Sequence, residues 1–160
     1  MGHVVEALVV RALALPPGGP ALPARAVTLR QGLALLPLTD ALVAHAVAAF
    51  APAAADDHTP DPPYTELPKL RGAVLRWMRA LVGDAEPFAY LETDYAGARA
   101  RQAAAVWRGA ALTYGPRRAN IGPINEALAL LGVHGVGTND AFDAVGLARH
   151  RTTADWLSAP

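Results

Sequence analysis

The sequence contains no cysteine, which excludes disulfide bonds, thiolate metal sites and a cysteine nucleophile. It therefore lacks the cysteine framework that small secreted domains use for stability. It also lacks an excess of positive charge, because 14 acidic residues balance 14 basic ones. Nucleic-acid-binding proteins use such an excess to displace counterions. We therefore expect no nucleic-acid partner.

Long apolar runs are missing as well. Glu6 and Arg11 interrupt the first apolar stretch, and no basic segment precedes it, so it does not match a secretory signal. No segment approaches the roughly 20 apolar residues that span a bilayer. These absences predict a cytoplasmic protein without a membrane partner. The single lysine, Lys69, and the abundance of alanine, proline and glycine are typical of a GC-rich bacterial genome.

The length of 160 residues fits one domain. Alternating and β-branched stretches predict strands, and residues 26–36 fit either two short antiparallel segments or one bulged strand. The predicted strands are Val4–Leu15, Ala26–Leu36, Phe88–Tyr95, Gln102–Trp107 and Ala110–Tyr114. The last two flank Arg108-Gly109, which indicates a hairpin.

Helix signals are local and lie at the ends of the apolar periodic segments. Predicted helices begin at Thr39, Pro68, Pro123 and Asp140, and a last helical turn begins at Thr152. Gly83 and Gly132 are expected to end the second and third of these. Consecutive strands with short connections predict an α+β fold, a single domain over 1–160 with a mainly antiparallel sheet and three to four helices packed on it. Residues 51–64, rich in proline and aspartate, are expected to form a flexible loop.

The candidate site lies in the third predicted strand, Phe88–Tyr95. Alternate residues of a strand share a face, so Glu92 and Asp94 should project together, about 7 Å apart. One interpretation is a solvent-facing side whose acids pair with Arg99 and Arg101. The other is a functional acidic face, on which Gln102 of the next strand could lie opposite either acid.

Two functions compete for this face. The first is binding of a basic protein partner, with Glu92, Asp94, Tyr95, Arg99 and Gln102 as the contact residues. The acidic loop 51–64 is a second candidate contact for this partner.

The alternative is a small hydrolase or metal-dependent enzyme that uses Glu92, Asp94, Gln102 and His150. The five histidines show no spacing typical of a helical zinc site, so no metal site is assigned and no cofactor is expected. A third hypothesis is homo-oligomerisation through an exposed sheet face or edge, which a surface position of Trp107 or Trp156 would indicate.

Three segments carry a resemblance to known proteins: residues 88–107 (FAYLETDYAGARARQAAAVW), Pro123-Ile124-Asn125, and residues 140–156 (DAFDAVGLARHRTTADW). Together they resemble small actinobacterial-type proteins of unassigned function. Some of these are similar to the immunity components of bacterial toxin systems. The resemblance covers the C-terminal half only, and Tyr95-Ala96-Gly97 departs from the aromatic-Gly-Gly of such proteins. It implies a binding protein. The expected partner is another protein, and the expected state is a monomer or a homodimer.

Overall fold

The structure, a computed structural model, describes residues 2–50, 67, 69–97 and 100–160. These residues include one six-stranded sheet in the order β2-β3-β1-β4-β5-β6. The strands are β1 Val4–Arg11, β2 Val27–Thr28, β3 Leu33–Pro37, β4 Pro87–Asp94, β5 Arg101–Arg108 and β6 Ala111–Ala119. All neighbouring pairs are antiparallel. The expected α+β fold with an antiparallel sheet is confirmed.

Five α-helices lie within the described residues, against the three to four expected. They are α1 Asp40–Phe50, α2 Gly72–Val82, α3 Pro123–Leu130, α4 Ala141–Val145 and α5 Thr153–Leu157. None of these helices is long and apolar enough to cross a lipid bilayer.

The sheet is covered on both faces, which explains why its central strands are nearly continuous apolar runs. On one face, side chains such as Leu8 and Tyr90 pack with α1 and α2. On the other face, side chains such as Val9 and Leu91 pack with α3, α4 and α5. Trp107 and Trp156 are buried in these two cores, with exposed fractions of 2% and 0%. Neither tryptophan therefore gives the surface signal expected for homo-oligomerisation.

Local chemistry sets most helix ends, as the sequence predicts. Thr39 Oγ1 accepts a hydrogen bond from Leu42 N at 3.1 Å at the start of α1. Pro123 is the first residue of α3, where its missing N–H costs nothing. Asp140 caps α4, and Gly83 follows α2 with a φ of +80°.

Some predicted boundaries differ from the structure, and one alternative that the sequence left open is decided. The first strand ends at Arg11, and Ala12–Ala14 form a 3-10 turn. Of the two alternatives for residues 26–36, the structure shows two short antiparallel segments rather than one bulged strand. A turn in which Gln31 has a φ of +58° joins them. The second helix begins at Gly72 rather than Pro68, because Arg71 is extended and acts as its N-cap. The predicted loop 51–64 lies outside the described residues.

Candidate functional site

Strand β4 presents two acids on the face of the sheet that carries α1 and α2. Residues 87–94 are extended, so Tyr90, Glu92 and Asp94 alternate onto one side. Tyr90 confirms this direction, since its hydroxyl donates to Glu92 Oε2 at 2.7 Å. The acidic strand face predicted from the sequence is therefore present.

A third acid stands directly opposite Glu92. The register of β1 and β4 pairs Glu6 with Glu92 and Val4 with Asp94. Like charges at directly opposite positions destabilise an antiparallel pair by roughly 0.2–1 kcal/mol. We call Glu6, Glu92 and Asp94 the acidic sheet end, because all three lie on one face near the same end of the sheet.

Two cations reach the glutamates from opposite flanks. Ala103 of β5 lies between Arg118 of β6 and Glu92 of β4. Because the side chain of Ala103 is small, the Arg118 side chain passes over it, and its Nη2 is 3.5 Å from Glu92 Oε1. On the other flank, Lys69 Nζ is 3.1 Å from Glu6 Oε2 and 3.5 Å from an oxygen of Asp40.

The two glutamates are half-buried, with side-chain exposures of 28% for Glu6 and 22% for Glu92. Burial raises the pKa of the Glu6 carboxyl above its usual value, and the charges of Glu92 and Asp40 add to this, while Lys69 opposes it. Burial also keeps the pKa of the Tyr90 hydroxyl far above its usual range, with Glu92 adding to the effect. Tyr90 therefore remains a hydrogen-bond donor to Glu92 at every physiological pH.

The acidic sheet end continues to solvent at Asp94. Asp94 lies opposite Val4 on one side and Arg101 on the other, and Val4 is 40% exposed. Asp94 Oδ1 accepts a hydrogen bond from Ala96 N at 3.4 Å. Lys69 and Asp40 also line an open groove of about 490 Å³ beside α1.

Gln102 does not join this surface, and the prediction that it faces Glu92 or Asp94 is wrong. It pairs with Thr93, whose side chain points to the opposite face. There Gln102 is 6% exposed, and its Oε1 accepts a hydrogen bond from Ile124 N at 3.2 Å. Its role is to satisfy an N–H in the first turn of α3 that has no partner within the helix.

The other predicted site residues also lie apart from the acids. His150 packs edge-on against Trp156, with ring centroids 4.6 Å apart, on the face that carries α3 to α5. The catalytic set of Glu92, Asp94, Gln102 and His150 is therefore split between the two faces of the sheet. Tyr95 follows β4, where its hydroxyl is 3.4 Å from Asn120 O. Arg99 lies outside the described residues.

Sequence reasoning missed Glu6, Lys69 and Arg118. A charged residue within an apolar strand, such as Glu6, is a signal that the sequence offers. Its position opposite Glu92, however, depends on the pairing of β1 with β4. The described residues contain no cluster of three histidines or acids that could hold a metal ion. This arrangement can bind a positively charged group between the half-buried carboxylates of Glu6 and Glu92. The Tyr90 hydroxyl holds the Glu92 carboxylate in place.

No family model, curated protein or solved structure matches this chain.

Proposed function

We propose that this chain is a non-enzymatic protein-binding domain that captures a basic partner through the acidic sheet end. The observation that carries the proposal is the direct opposition of Glu6 and Glu92. The pair contributes nothing to the apolar core and costs folding energy. Residues that weaken a fold in this way are typical of functional sites.

Charge complementarity explains how such a surface works. A lysine or arginine of the partner would lie between Glu6 and Glu92 and neutralise their repulsion, while Asp94 extends the contact toward solvent. Lys69 and Arg118 hold the carboxylates in place from the flanks. Charged contacts of this kind raise association rates and specificity more than affinity. A basic toxin, blocked by an immunity component as the resemblance implies, is a partner with the required chemistry.

The test uses a fluorescent oligolysine peptide and anisotropy at low ionic strength. We expect the double variant Glu6→Gln/Glu92→Gln to weaken peptide binding by about tenfold or more, since each lost charge contact costs on the order of 1 kcal/mol. The matched control is Asp84→Asn/Asp143→Asn, which removes two exposed charges elsewhere. This control should keep nearly the wild-type affinity. Equal weakening by both double variants, or no binding by the wild type, contradicts the proposal.

A further inference from the structure

The single lysine of the chain, Lys69, places its ammonium group against the acidic sheet end. Lys69 Nζ is 3.1 Å from Glu6 Oε2 and 3.5 Å from Asp40 Oδ1. It also donates a hydrogen bond to Leu38 O at 3.4 Å. Two carboxylates and one backbone carbonyl therefore surround one ammonium group. We call these three oxygen atoms, from Glu6, Leu38 and Asp40, the ammonium cradle.

The backbone that carries the ammonium cradle is fixed without the help of Lys69. Leu38 N donates a hydrogen bond to Glu6 O at 2.9 Å, which joins the end of β3 to β1. Asp40 is the first residue of α1, and the Thr39 hydroxyl accepts a hydrogen bond from the first turn of that helix. The three oxygens therefore come from positions that the fold holds together, whichever ammonium group they receive.

The backbone of Lys69 is likewise fixed without the help of its ammonium group. Its neighbours Leu67 and Leu70 are buried, and Leu70 N donates to Leu67 O at 2.8 Å. The Lys69 side chain is partly exposed, the Asp40 side chain is almost fully exposed, and both line the open groove beside α1. The Lys69 side chain can therefore turn out of the cradle and into the groove while its backbone stays in place.

Lys69 holds the cradle only loosely. Glu6 Oε2 is buried and accepts no hydrogen bond of regular geometry from the described residues, although Lys69 Nζ lies close to it. An ion pair between partly exposed side chains is weak, because water screens the charges and two flexible side chains lose freedom. Exchange of Lys69 for a second ammonium group therefore costs the fold little.

The cradle favours a primary ammonium group over a guanidinium group. An ammonium is a compact charge with three rotatable N–H donors, which suits three oxygens that come from three different residues. A guanidinium is planar and presents its donors in a fixed fork, which suits the two oxygens of a single carboxylate.

We propose that Lys69 is an internal ligand of the acidic sheet end, and that a lysine side chain of the basic partner displaces it from Glu6. This inference rests on the proposed function and adds two things to it: the chemical class of the group that the partner inserts, and a contact that limits its binding. Because Lys69 is tethered beside the cradle, its effective concentration there is high. A single ammonium group therefore competes poorly, and a partner with several lysines, which also reaches Glu92 and Asp94, is favoured.

n-Propylammonium tests the cradle without any partner, since it replaces the side-chain atoms that Lys69→Ala removes. In an NMR titration of Lys69→Ala at neutral pH, it should cause saturable shift changes at the amides of Glu6, Leu38 and Asp40. The wild type should need a several-fold higher concentration. Asp40→Asn, added to Lys69→Ala, should weaken the response.

Two other cations serve as controls for this titration. Tetramethylammonium carries the charge without N–H donors, and ethylguanidinium carries donors in a planar fork, so both should bind more weakly to Lys69→Ala than n-propylammonium does. The inference is overturned if Lys69→Ala gives no saturable response, or if either control cation binds as well as n-propylammonium.

The oligolysine peptide tests the competition itself. Lys69→Met should tighten peptide binding by about two- to fivefold, the factor that corresponds to one partly exposed ion pair. Arg101→Gln removes a positive charge at the same end of the sheet, opposite Asp94, and should tighten binding less. Weaker binding by Lys69→Met would show that Lys69 only positions Glu6, and tightening no greater than that of Arg101→Gln would show a general charge effect. Either result overturns the inference.

The two experiments separate this inference from the proposed function. If the wild type binds oligolysine through Glu6 and Glu92 but Lys69→Met does not tighten binding, the inference fails and the proposed function stands. If n-propylammonium fills the cradle of Lys69→Ala but oligolysine binds neither the wild type nor Lys69→Met, the proposed function fails, and the claim about the partner fails with it.

Discussion

At the scale of single residues, Glu6 is in an unfavourable position for stability. It is half-buried, and it stands opposite Glu92, with Lys69 as a direct counter-charge. Its pKa is raised, mainly by burial. Between the unfolded and folded pKa values the folded state holds more protons, so stability decreases as the pH rises through that window. The charged form, which prevails above that window, is therefore the destabilised one.

Glu6→Gln should therefore stabilise the protein at neutral pH, by up to about 1 kcal/mol, while it weakens binding of a basic peptide. Urea denaturation measures the change. Below the pKa of Glu6 in both states, wild type and variant should be equally stable, because a protonated glutamate and a glutamine carry no charge.

Glu126→Gln is the control with the opposite sign. Hydrogen bonds from Tyr114, and then Arg117, lower the pKa of Glu126, so its charged form is the favoured one. This variant should lose stability at neutral pH. If Glu6→Gln is instead less stable than the wild type at neutral pH, the Lys69 contact outweighs burial and repulsion, and Glu6 is not a strained residue.

At the scale of elements, the capping box of α5 holds a buried tryptophan in place. Thr152 Oγ1 accepts from Asp155 N at 3.1 Å, and Asp155 Oδ2 accepts from Thr152 N at 3.1 Å. A helix of five residues has little stability of its own. The cap therefore matters for the position of Trp156.

Thr152→Ala should lower the free energy of unfolding by about 1 kcal/mol, the usual cost of a lost N-cap. Thermal and urea denaturation at neutral pH provide the measurement. Thr152→Ser keeps the acceptor oxygen and should stay close to the wild type. Equal stability of the alanine and serine variants would show that the cap contributes nothing to the fold.

The residues that cap the helices were predictable from the sequence, because donor and acceptor lie within one helical turn. The Thr152–Asp155 box, the Asp140 cap and the Pro123 start all appear where the residues predict them. The extended course of β4 follows in the same way from its β-forming composition.

Relations between distant strands were not predictable in this way. The opposition of Glu6 and Glu92 depends on β1 pairing with β4, and β2, β3, α1 and α2 lie between these strands along the chain. The face of Gln102 depends on the register of β4 and β5, and a shift of one residue moves a side chain to the other face. Asp94 pairs with Arg101, so Gln102 is opposite Thr93. Sequence alternation fixes which residues of one strand share a face, but it does not relate two strands.

At the scale of the whole molecule, the antiparallel sheet separates two kinds of chemistry at one of its ends. The acidic sheet end faces the α1 and α2 side, and the hydrogen-bonded side chains of His3 and Thr93 face the side of α3 to α5. The two edges of the sheet are poorly suited to pairing with another chain. The edge strand β2 has two residues, and the edge strand β6 contains Pro116 and two arginines. These edges disfavour strand addition, which is consistent with the proposed recognition through the acidic sheet end.

The most direct test of the binding face is an NMR titration of the labelled protein with the oligolysine peptide at neutral pH. The account predicts that the largest amide shift changes fall on Glu6, Glu92 and Asp94 and on their neighbours in β1, β4 and β5. Changes that are largest on α3 to α5, or that spread evenly over all exposed acids, would contradict it.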